Sequence, residues 1–336
     1  MSCGGRLRAG SFGCRLEGKH AVPEKTLVSF VVIAYNEAEN IACTLTAITA
    51  LEDLGEHEIV IVDDGSRDGT TGRVADIAAQ NPRVRLISLP ENCGRGYARN
   101  TGVAVARGGL IAMVDADITL PPDWLARTRE ALSDYDAVGG IAVPDGDVSY
   151  LYRRYRLVPR VVRGTTTVTG SNGLYRRDIF NVVSFDQGLR DGEDIALNHA
   201  IDREGLSTAT VPGLIVHHQE NKSFGTSLRW LFDTGRGATR QLLTYHQMRQ
   251  PDIVTGAFFG SAALGLFAAV CEHRIIGMAV PVAFILVTSV LHVRSRFEIP
   301  WWHWPRIAPA IAVDSALLTA YFAGRLSGLT ALWRRR

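Results

Sequence analysis

Residues 110–117 read Leu-Ile-Ala-Met-Val-Asp-Ala-Asp, an apolar run that ends in two carboxylates at alternate positions. An apolar run of this length predicts a buried strand over residues 110–114. Asp115 and Asp117 then project from the strand end toward one crevice, where their charges repel each other. Mg²⁺ or Mn²⁺ relieves that repulsion and can bridge to diphosphate oxygens, because these ions prefer oxygen ligands. The stretch therefore predicts a strand that delivers two metal-binding acids to a phosphate site.

Strands and helices alternate before this stretch. Short runs rich in Val and Ile predict strands over residues 27–34, 58–62 and 84–89. The spacing of apolar residues predicts helices over residues 69–79 and 97–106. A further helix should follow the first strand, with Asn36 as N-cap and Glu39 at the capping-box position. Such alternation indicates an α/β fold with a mostly parallel sheet flanked by helices.

Ligands of such sheets bind outside the carboxyl ends of the strands. Polar residues stand directly after three of the predicted strands: Tyr35, Asn36 and Glu37 after the first, Asp63 and Asp64 after the second, and Asp115 and Asp117 after the fourth. A purely structural sheet does not require acids and amides at one edge. Asp63 is therefore predicted to accept hydrogen bonds from a base or ribose. An Asx-turn and a helix cap could account for Asp64 and Asp68.

A glycine-rich segment with two arginines opens the helix after the third strand. Residues 94–102 read Gly-Arg-Gly-Tyr-Ala-Arg-Asn-Thr-Gly. Helix N-termini and guanidinium groups both favour phosphate, so Arg95 and Arg99 are candidates to bind the phosphates of a ligand. A tight turn explains Gly94 and Gly96 about as well, but it does not explain the two arginines.

Further candidate site residues lie beyond the fourth strand. Residues 170–173, Gly-Ser-Asn-Gly, form a small-residue turn that lets backbone approach a ligand closely. Glu193 and Asp194 precede a predicted helix over residues 195–203. A carboxylate there can act as a general base on an acceptor hydroxyl, or it can merely favour the helix dipole. Of the strand-end pair His217 and His218, His217 is the candidate metal ligand, although such histidines are more often structural.

Three apolar blocks occupy the last quarter of the chain, at residues 253–271, 275–293 and 307–324. The first two lack charged residues and are about long enough to cross a hydrocarbon core of roughly 30 Å. Asp314 lies within the third block, where a carboxylate costs about 2.5 to 3.5 kcal/mol. We therefore predict two or three membrane helices. Arginines on both sides of the third block leave the number and the side of the C-terminus open.

Charge and cysteine usage restrict the class of partner and the compartment. The net charge is +5 from residue 253 onward and −3 before it, so no nucleic-acid partner is expected. Residues 1–26 are rich in Gly and Arg and lack the apolar core of a signal peptide. Five scattered cysteines without metal-type spacing indicate a reducing compartment.

Residues 28–216 resemble the inverting glycosyltransferase family 2, whose catalytic domain has the GT-A fold. The resemblance rests on a series of motifs: Ala34-Tyr35-Asn36-Glu37, Val62-Asp63-Asp64-Gly65-Ser66, Ala98-Arg99-Asn100, Asp115-Ala116-Asp117, Gly170-Ser171-Asn172-Gly173 and Glu193-Asp194. It implies that Asp63 contacts the nucleoside of the donor, that Asp115 and Asp117 serve the nucleotide and the metal, and that Asp194 is the catalytic base. The turn at residues 170–172 is the candidate acceptor site. The further candidate donor-binding residues are Ala34, Tyr35, Asn36, Glu37, Asp64, Arg95, Arg99 and Ala116.

A motif on the next helix limits the reaction. Polymer synthases of this family carry Gln-x-x-Arg-Trp, whereas residues 226–230 read Thr-Ser-Leu-Arg-Trp. Arg229 and Trp230 are kept as candidate acceptor-binding residues, but Thr226 replaces the glutamine. Transfer of a single sugar is therefore expected rather than processive synthesis. The helix over residues 223–247 is basic and aromatic, and it should either lie on an anionic membrane surface or serve as a solvated connector.

Together these features predict four segments. They are a disordered segment 1–26, a GT-A catalytic domain 27–222, an amphipathic juxtamembrane region 223–252 and a transmembrane region 253–336. Expected partners are a nucleotide-sugar donor, membrane lipids and a lipid-linked or glycan acceptor, such as a polyprenyl-linked saccharide or polyprenyl phosphate. The predicted place is the cytoplasmic face of the inner membrane, in cell-envelope synthesis. The alternatives are a nucleotide-sugar-binding scaffold and a nucleotidyltransferase, and the sugar and nucleotide stay open.

Overall fold

The computed structural model describes residues 25–145, 167–189, 192–219, 223–245, 250–270, 274–296 and 304–333. The strands are β1 Val28–Ala34, β2 His57–Asp63, β3 Val84–Ser88, β4 Leu110–Asp115, β5 Ile118–Thr119, β6 Ala137–Asp145, β7 Asn172–Arg176 and β8 Thr208–Gln219. The helices are α1 Ile41–Thr49, α2 Thr70–Gln80, α3 Arg95–Val105, α4 Trp124–Ala131, α5 Glu193–Arg203, α6 Phe224–Tyr245, α7 Gln250–Val270, α8 Arg274–Arg296 and α9 Trp304–Trp333. Most of the predicted 1–26 segment, residues 1–24, lies outside the described residues.

The eight strands form one sheet in the order β3-β2-β1-β4-β7-β6-β8-β5. The first four strands along the chain pair in parallel, as the alternation of strands and helices predicts. β7 then runs antiparallel between β4 and β6, and β8 runs parallel to β6. β5 follows β4 closely but pairs with the far end of β8. This crossing brings the end of β8 to the residues that follow β4.

The sheet core fixes α3 beside the strand ends. Every residue of β1 is buried, and its side chains alternate between the two faces of the sheet. Phe30 and Val32 join a cluster with residues of α1, whereas Ile33 packs with Ala98 of α3. A side chain at Gly102 would overlap Val31, so the glycine lets α3 lie directly on β1.

The predicted cap of the first helix is wrong. α1 begins at Ile41, with Asn40 rather than Asn36 before it. Asn36 instead adopts a left-handed conformation with φ of 57°. Its N–H donates to Ser66 Oγ at 2.9 Å, and its side-chain oxygen accepts from the N–H of Arg67 at 2.8 Å. Asn36 therefore ties the loop after β1 to the loop after β2, which outweighs the local capping preference. Likewise, α3 begins two residues earlier than predicted and α5 begins at Glu193.

Among the described residues, two helical segments are long and apolar enough to cross a membrane, Asp252–Val270 and Ile307–Leu329. The apolar part of α8, Ala279–Arg294, is shorter. The first and third predicted blocks are thus candidate spans, whereas the second block lies within α8, Arg274–Arg296, and its crossing of a membrane stays a prediction. Within the third block Asp314 is not isolated, because its Oδ1 lies 2.6 Å from Nδ1 of His292 on α8. A carboxylate paired in this way costs less in an apolar medium than an isolated one.

Large apolar side chains of α7 point away from the protein. Leu264, Leu266, Phe267 and Val270 are between 66% and 75% exposed. Contact between such a surface and water would be unfavourable, whereas contact with acyl chains would not. The apolar surface of α7 therefore matches a lipid environment.

Candidate functional site

The ends of β1, β2 and β4 meet at one edge of the sheet. In the strand register Ala34 of β1 lies opposite Asp63 of β2, and Ile33 lies opposite Asp115 of β4. Thr44 of α1 donates its hydroxyl to the carbonyl of Ala116 at 2.7 Å, which fixes the turn between Asp115 and Asp117. The predicted strand-end acids are thus brought to the two sides of β1.

Asp63 and Asp64 are both buried and both bonded within the protein. Asp63 Oδ1 accepts from the N–H of Ser66 at 3.0 Å, and its Oδ2 accepts from the hydroxyl of Thr71. The two oxygens of Asp64 accept from the N–H groups of Cys93 at 2.7 Å and Gly94 at 3.0 Å. Asp64 therefore holds the glycine-rich loop against β2. Each carboxylate oxygen can accept a second hydrogen bond, so binding of the donor by Asp63 and Asp64 stays a prediction.

Glu37 marks a local excess of negative charge. Its N–H donates to Thr70 Oγ1 at 2.9 Å, and its Oε2 accepts from Nδ2 of Asn40 at 2.8 Å. Burial and, after it, the charges of Asp117 and Asp115 together raise the pKa of Glu37 to about 7, against the opposing effect of the Asn40 hydrogen bond. Three carboxylates therefore share one small region at the end of β1 and β4. Tyr35, beside them, is largely exposed.

Arg99 joins the strand-end acids to α5. Its guanidinium is only 2% exposed and donates to Asp115 Oδ1 at 2.8 Å and to Glu193 Oε1. These two carboxylates raise the pKa of Arg99 despite its burial. Because its charge is already matched, Arg99 orients Asp115 and Glu193, and direct binding of phosphate by Arg99 stays a prediction. Arg95 is exposed at the first residue of α3.

Asp194 lies in the same cluster. Its Oδ2 accepts from the N–H of Gly170 at 3.4 Å, and its Oδ1 accepts from the N–H of Ile195 at 2.8 Å. Burial and the charge of Glu193 raise the pKa of Asp194, and Arg99 partly opposes this. Glu193 Oε2 is buried without a hydrogen-bond partner among the described residues. A carboxylate whose pKa is raised is a better proton acceptor, which fits the predicted base.

The turn at residues 170–172 packs against this cluster. A Cβ at Gly170 would lie 2.7 Å from Arg99 Cζ, so only glycine fits beside the guanidinium. The carbonyl of Ser171 accepts from the N–H of Asp115 at 3.1 Å. Asn172 is buried, donates to Thr169 Oγ1 at 2.9 Å and accepts from the N–H of Gly140 at 2.6 Å. The predicted acceptor motif and the predicted donor acids therefore adjoin.

Asp117 pairs with a histidine from β8. His218 Nε2 lies 2.9 Å from Asp117 Oδ2, because Ile118 of β5 pairs with His218. His217 is the next residue along the strand and is exposed, so its side chain points to the opposite face. Both histidines are candidates from the sequence, and His217 is the predicted metal ligand. The structure instead brings His218 to Asp117. Metal binding by His217 stays a prediction.

The acids fit a divalent cation that also binds the donor. Within the described residues, no three side chains of His, Cys, Asp or Glu are placed to hold a metal ion by themselves. Asp115 and Asp117 offer hard carboxylate oxygens at the strand ends, and both contribute, after burial, to the raised pKa of Glu37. Mg²⁺ and Mn²⁺ often take one or two protein carboxylates and complete their coordination with phosphate oxygens and water. The donor set suits such an ion.

Three residues that the sequence did not predict as site residues also border the cluster. Tyr175 on β7 is buried, and its hydroxyl has no hydrogen-bond partner among the described residues. Gln241 and Arg240 on α6 donate to the carbonyls of Gly192 and Gly188. No local motif signals these contacts, because they join elements far apart in sequence. The predicted acceptor residues Arg229 and Trp230 are exposed on α6, and their role stays a prediction.

Two relatives are similar in sequence to about half of the chain. The chain is 36% identical over 218 residues to the succinoglycan biosynthesis protein ExoO of Rhizobium meliloti, covering 57% of this chain and 61% of that protein. It is 31% identical over 166 residues to the undecaprenyl-phosphate 4-deoxy-4-formamido-L-arabinose transferase of Aeromonas hydrophila, covering 47% and 51%. The chain thus spans between half and two thirds of the length of these relatives.

A solved structure supports the fold. The mannosyltransferase PcManGT of Pyrobaculum calidifontis, in complex with GDP-Man and Mn²⁺, matches with a TM-score of 0.57 and 20% identity, covering 90% of this chain and 86% of that one. The predicted GT-A fold is confirmed. Residues 29–185 match the family described as Glycosyl transferase family 2, in agreement with the motif series. The chain therefore carries a glycosyl transferase family 2 domain.

Proposed function

We propose that this chain is a metal-dependent, inverting glycosyltransferase that moves one sugar from a nucleotide-sugar donor to a membrane-associated acceptor. The family domain and the relatives support a transferase of cell-envelope synthesis. The double ion pair of Arg99 carries the proposal, because it joins Asp115 at the donor edge to Glu193 beside Asp194. This link supports a site in which acids that bind the donor lie beside a base that acts on the acceptor.

The donor would bind at the strand ends. Asp63 accepts hydrogen bonds from the nucleoside, and Arg95 at the start of α3 approaches the diphosphate. A cation held by Asp115 and Asp117, when bound, offsets negative charge on the departing diphosphate. Arg99 keeps Asp115 in a fixed orientation, since its second ion pair to Glu193 anchors the guanidinium.

Asp194 would accept the proton of the acceptor hydroxyl. The acceptor oxygen forms a bond to the anomeric carbon, while the bond from that carbon to the diphosphate oxygen breaks and the nucleoside diphosphate leaves with the electron pair. Because attack occurs opposite the leaving group, the configuration inverts. If the acceptor is a polyprenyl phosphate, its oxygen is already ionised, and Asp194 then serves mainly to position it. The name of the Aeromonas hydrophila relative supports a polyprenyl phosphate acceptor.

The acceptor class agrees with the rest of the chain. The exposed apolar side chains of α7 support anchoring in a bilayer, which places the site near a lipid-linked acceptor. Cys43 and Cys93 are exposed free thiols, which supports a reducing, cytoplasmic location for the catalytic domain.

A donor panel tests the proposal. Membranes that contain the chain are incubated with nucleotide sugars labelled in the sugar, with Mn²⁺ or with EDTA, and the products are separated into lipid-soluble and water-soluble fractions. We expect label from one donor to enter the lipid-soluble fraction with Mn²⁺ and not with EDTA. Membranes without the chain are the control. Binding of donors without any product would support the scaffold alternative and contradict the proposal.

A further inference from the structure

Helix α6 reaches from the C-terminal helices into the loop before α5. Gln241 is only 5% exposed, and its Nε2 donates to the carbonyl of Gly192 at 2.9 Å. Arg240 donates to the carbonyl of Gly188 in the same loop. The loop therefore has two side-chain bonds to α6.

Gly192 is the N-cap residue of α5, directly before its first residue Glu193. Its carbonyl also accepts the first helical hydrogen bond of α5, from the N–H of Ala196 at 3.0 Å. Gly192 has a φ of +79°, and a side chain at this position would overlap Gln241. Both the backbone conformation and the neighbouring glutamine therefore require glycine here. Glu193 and Asp194 are the next two residues, so the orientation of their carboxylates depends on this point.

Helix α6 is in turn held tightly by α9. Gly235 of α6 lies against the backbone of Tyr321, and Gly324 of α9 lies against the backbone of Phe232, so any side chain at either glycine would overlap the facing helix. Thr239 also donates to the carbonyl of Arg325 at 3.0 Å. Because small residues allow this close approach, α6 packs tightly along α9, which contains a segment long and apolar enough to span a membrane.

We propose that Gln241 is a positioning residue for the transfer reaction: through Gly192 it fixes Glu193 and Asp194 relative to Arg99 and Asp115. This inference rests on the proposed function. It gives α6 a second role: the position of α6, which is packed against α9, then determines the position of the residues that begin α5. Since displacement of a reacting group by about 1 Å can cost about 100-fold in rate, loss of the amide bond should affect turnover.

Three variants test the inference. Gln241→Leu removes the amide and keeps similar bulk, whereas Gln241→Glu keeps the shape and places an oxygen against the Gly192 carbonyl. Thr244→Val is the matched control, because Thr244 lies on the same helix and is exposed. Each variant is assayed in membranes for kcat and for the KM of the active donor. Thermal unfolding and binding of UDP and GDP with Mn²⁺ are measured on the purified full chain.

We expect kcat of both Gln241 variants to fall between about 10-fold and 100-fold, while the donor KM and the binding of UDP and GDP change less than about twofold. Hydrogen exchange of the Ile195 and Ala196 amides should become faster in Gln241→Leu and stay unchanged in Thr244→Val. An unchanged kcat would overturn the inference. Joint loss of unfolding temperature and nucleotide binding would also overturn it, since Gln241 would then serve folding alone.

The hydrogen-exchange measurement separates this inference from the proposed function. If wild-type chain transfers no sugar from any donor, the proposed function fails, and the catalytic role of Gln241 fails with it. The exchange rates would still show whether Gln241 holds the start of α5. If the wild-type chain is active and the Gln241 variants keep the same kcat, the inference alone is wrong.

Discussion

Charged side chains are buried in two regions of this chain, and the two regions neutralise them differently. In the described C-terminal helices, the buried carboxylates of Asp252 and Asp314 each contact a side chain of opposite or potentially opposite charge. Asp252 pairs with Arg325, whose guanidinium also lies 5.5 Å from the ring of Tyr321, and Asp314 pairs with His292. Both carboxylates therefore have a partner for their charge within the helices themselves.

At the strand ends, acids outnumber bases. The buried guanidinium of Arg99 contacts both Asp115 and Glu193. The nearby charge of Asp194 also raises the pKa of Arg99. Asp117 has His218 as a neighbour, but it still raises the pKa of Glu37.

The comparison distinguishes ion pairs that join helices from strand-end carboxylates whose charge a bound cation would balance. A buried ion pair that is complete within the protein needs nothing else, and an apolar pair of similar size could often replace it. A surplus of carboxylates at a sheet edge is costly unless a cation or a proton joins it, so it marks a functional site. Breaking each arrangement should therefore have different consequences.

The largest effect is expected for Asp194→Asn. The amide cannot accept the acceptor proton, so transfer to a hydroxyl acceptor should fall between about 100-fold and 10,000-fold. Binding of UDP or GDP with Mn²⁺, measured by calorimetry, should stay within about threefold. Asp202→Asn is the matched control, since Asp202 lies exposed at the other end of α5. A transfer rate of Asp194→Asn equal to that of wild type would remove Asp194 as the base.

The next effect contrasts the two arginines. Arg325→Leu removes the buried guanidinium that pairs with Asp252, and Arg99→Leu removes the one that pairs with Glu193. Each should destabilise the fold by about 3 to 5 kcal/mol in denaturant unfolding of the detergent-solubilised chain.

Double variants sharpen this contrast. Asp252→Leu combined with Arg325→Leu should regain most of the lost stability and keep transfer near the wild-type rate. Glu193→Leu combined with Arg99→Leu should regain stability without regaining transfer, because the orientation of Asp115 and Asp194 is lost. Recovery of transfer in both double variants would contradict the distinction between the two regions.

A pH profile gives a smaller and graded effect. The base must be deprotonated, so kcat/KM for a hydroxyl acceptor falls as the pH falls through the pKa of Asp194. Burial and Glu193 raise this pKa, so the acidic limb should lie above the ordinary carboxylate value of 3.8. Glu37→Gln should leave the limb in place, because Glu37 is not the base. A limb below pH 3.8, or one that disappears in Glu37→Gln, would show that another group sets it.

The smallest effect is expected for Asp68→Ala. Asp68 lies at the same edge, but its oxygens accept from the N–H groups of Thr70 and Ala38, both at 3.1 Å. These bonds stabilise the turn and the start of α2. Its loss should cost about 1 kcal/mol of stability. Transfer should change less than about twofold, which thermal unfolding and the transfer assay check together. A loss of transfer as large as that of Asp194→Asn would mean that Asp68 belongs to the site.

The sequence predicts well the sheet and the edge at which the strand-end acids meet, because both depend on local patterns. Apolar runs that end in acids identify β1, β2 and β4, and the parallel pairing follows from the helices between them. The motif series also places Asp115, Gly170 and Asp194 in one site, and the structure brings these residues together around Arg99.

Long-range contacts account for what the sequence does not predict. Asn36 is not a helix cap, because Ser66 and Arg67 of another loop bind it. The acceptability of Asp314 in an apolar helix depends on His292, which is 22 residues away in the chain. The role of Gln241 depends on the packing of α6 and α9. None of these partners can be read from spacing within one element.

Cation-dependent binding of nucleoside diphosphate tests the central claim most directly. Calorimetric titration of UDP and GDP into the purified full chain is carried out with Mn²⁺ and with EDTA, for wild type and for Asp117→Asn. The surplus of strand-end carboxylates predicts that one nucleotide binds with Mn²⁺, does not bind with EDTA, and binds at least about tenfold more weakly to Asp117→Asn. Equal binding by both proteins, with or without Mn²⁺, would contradict it.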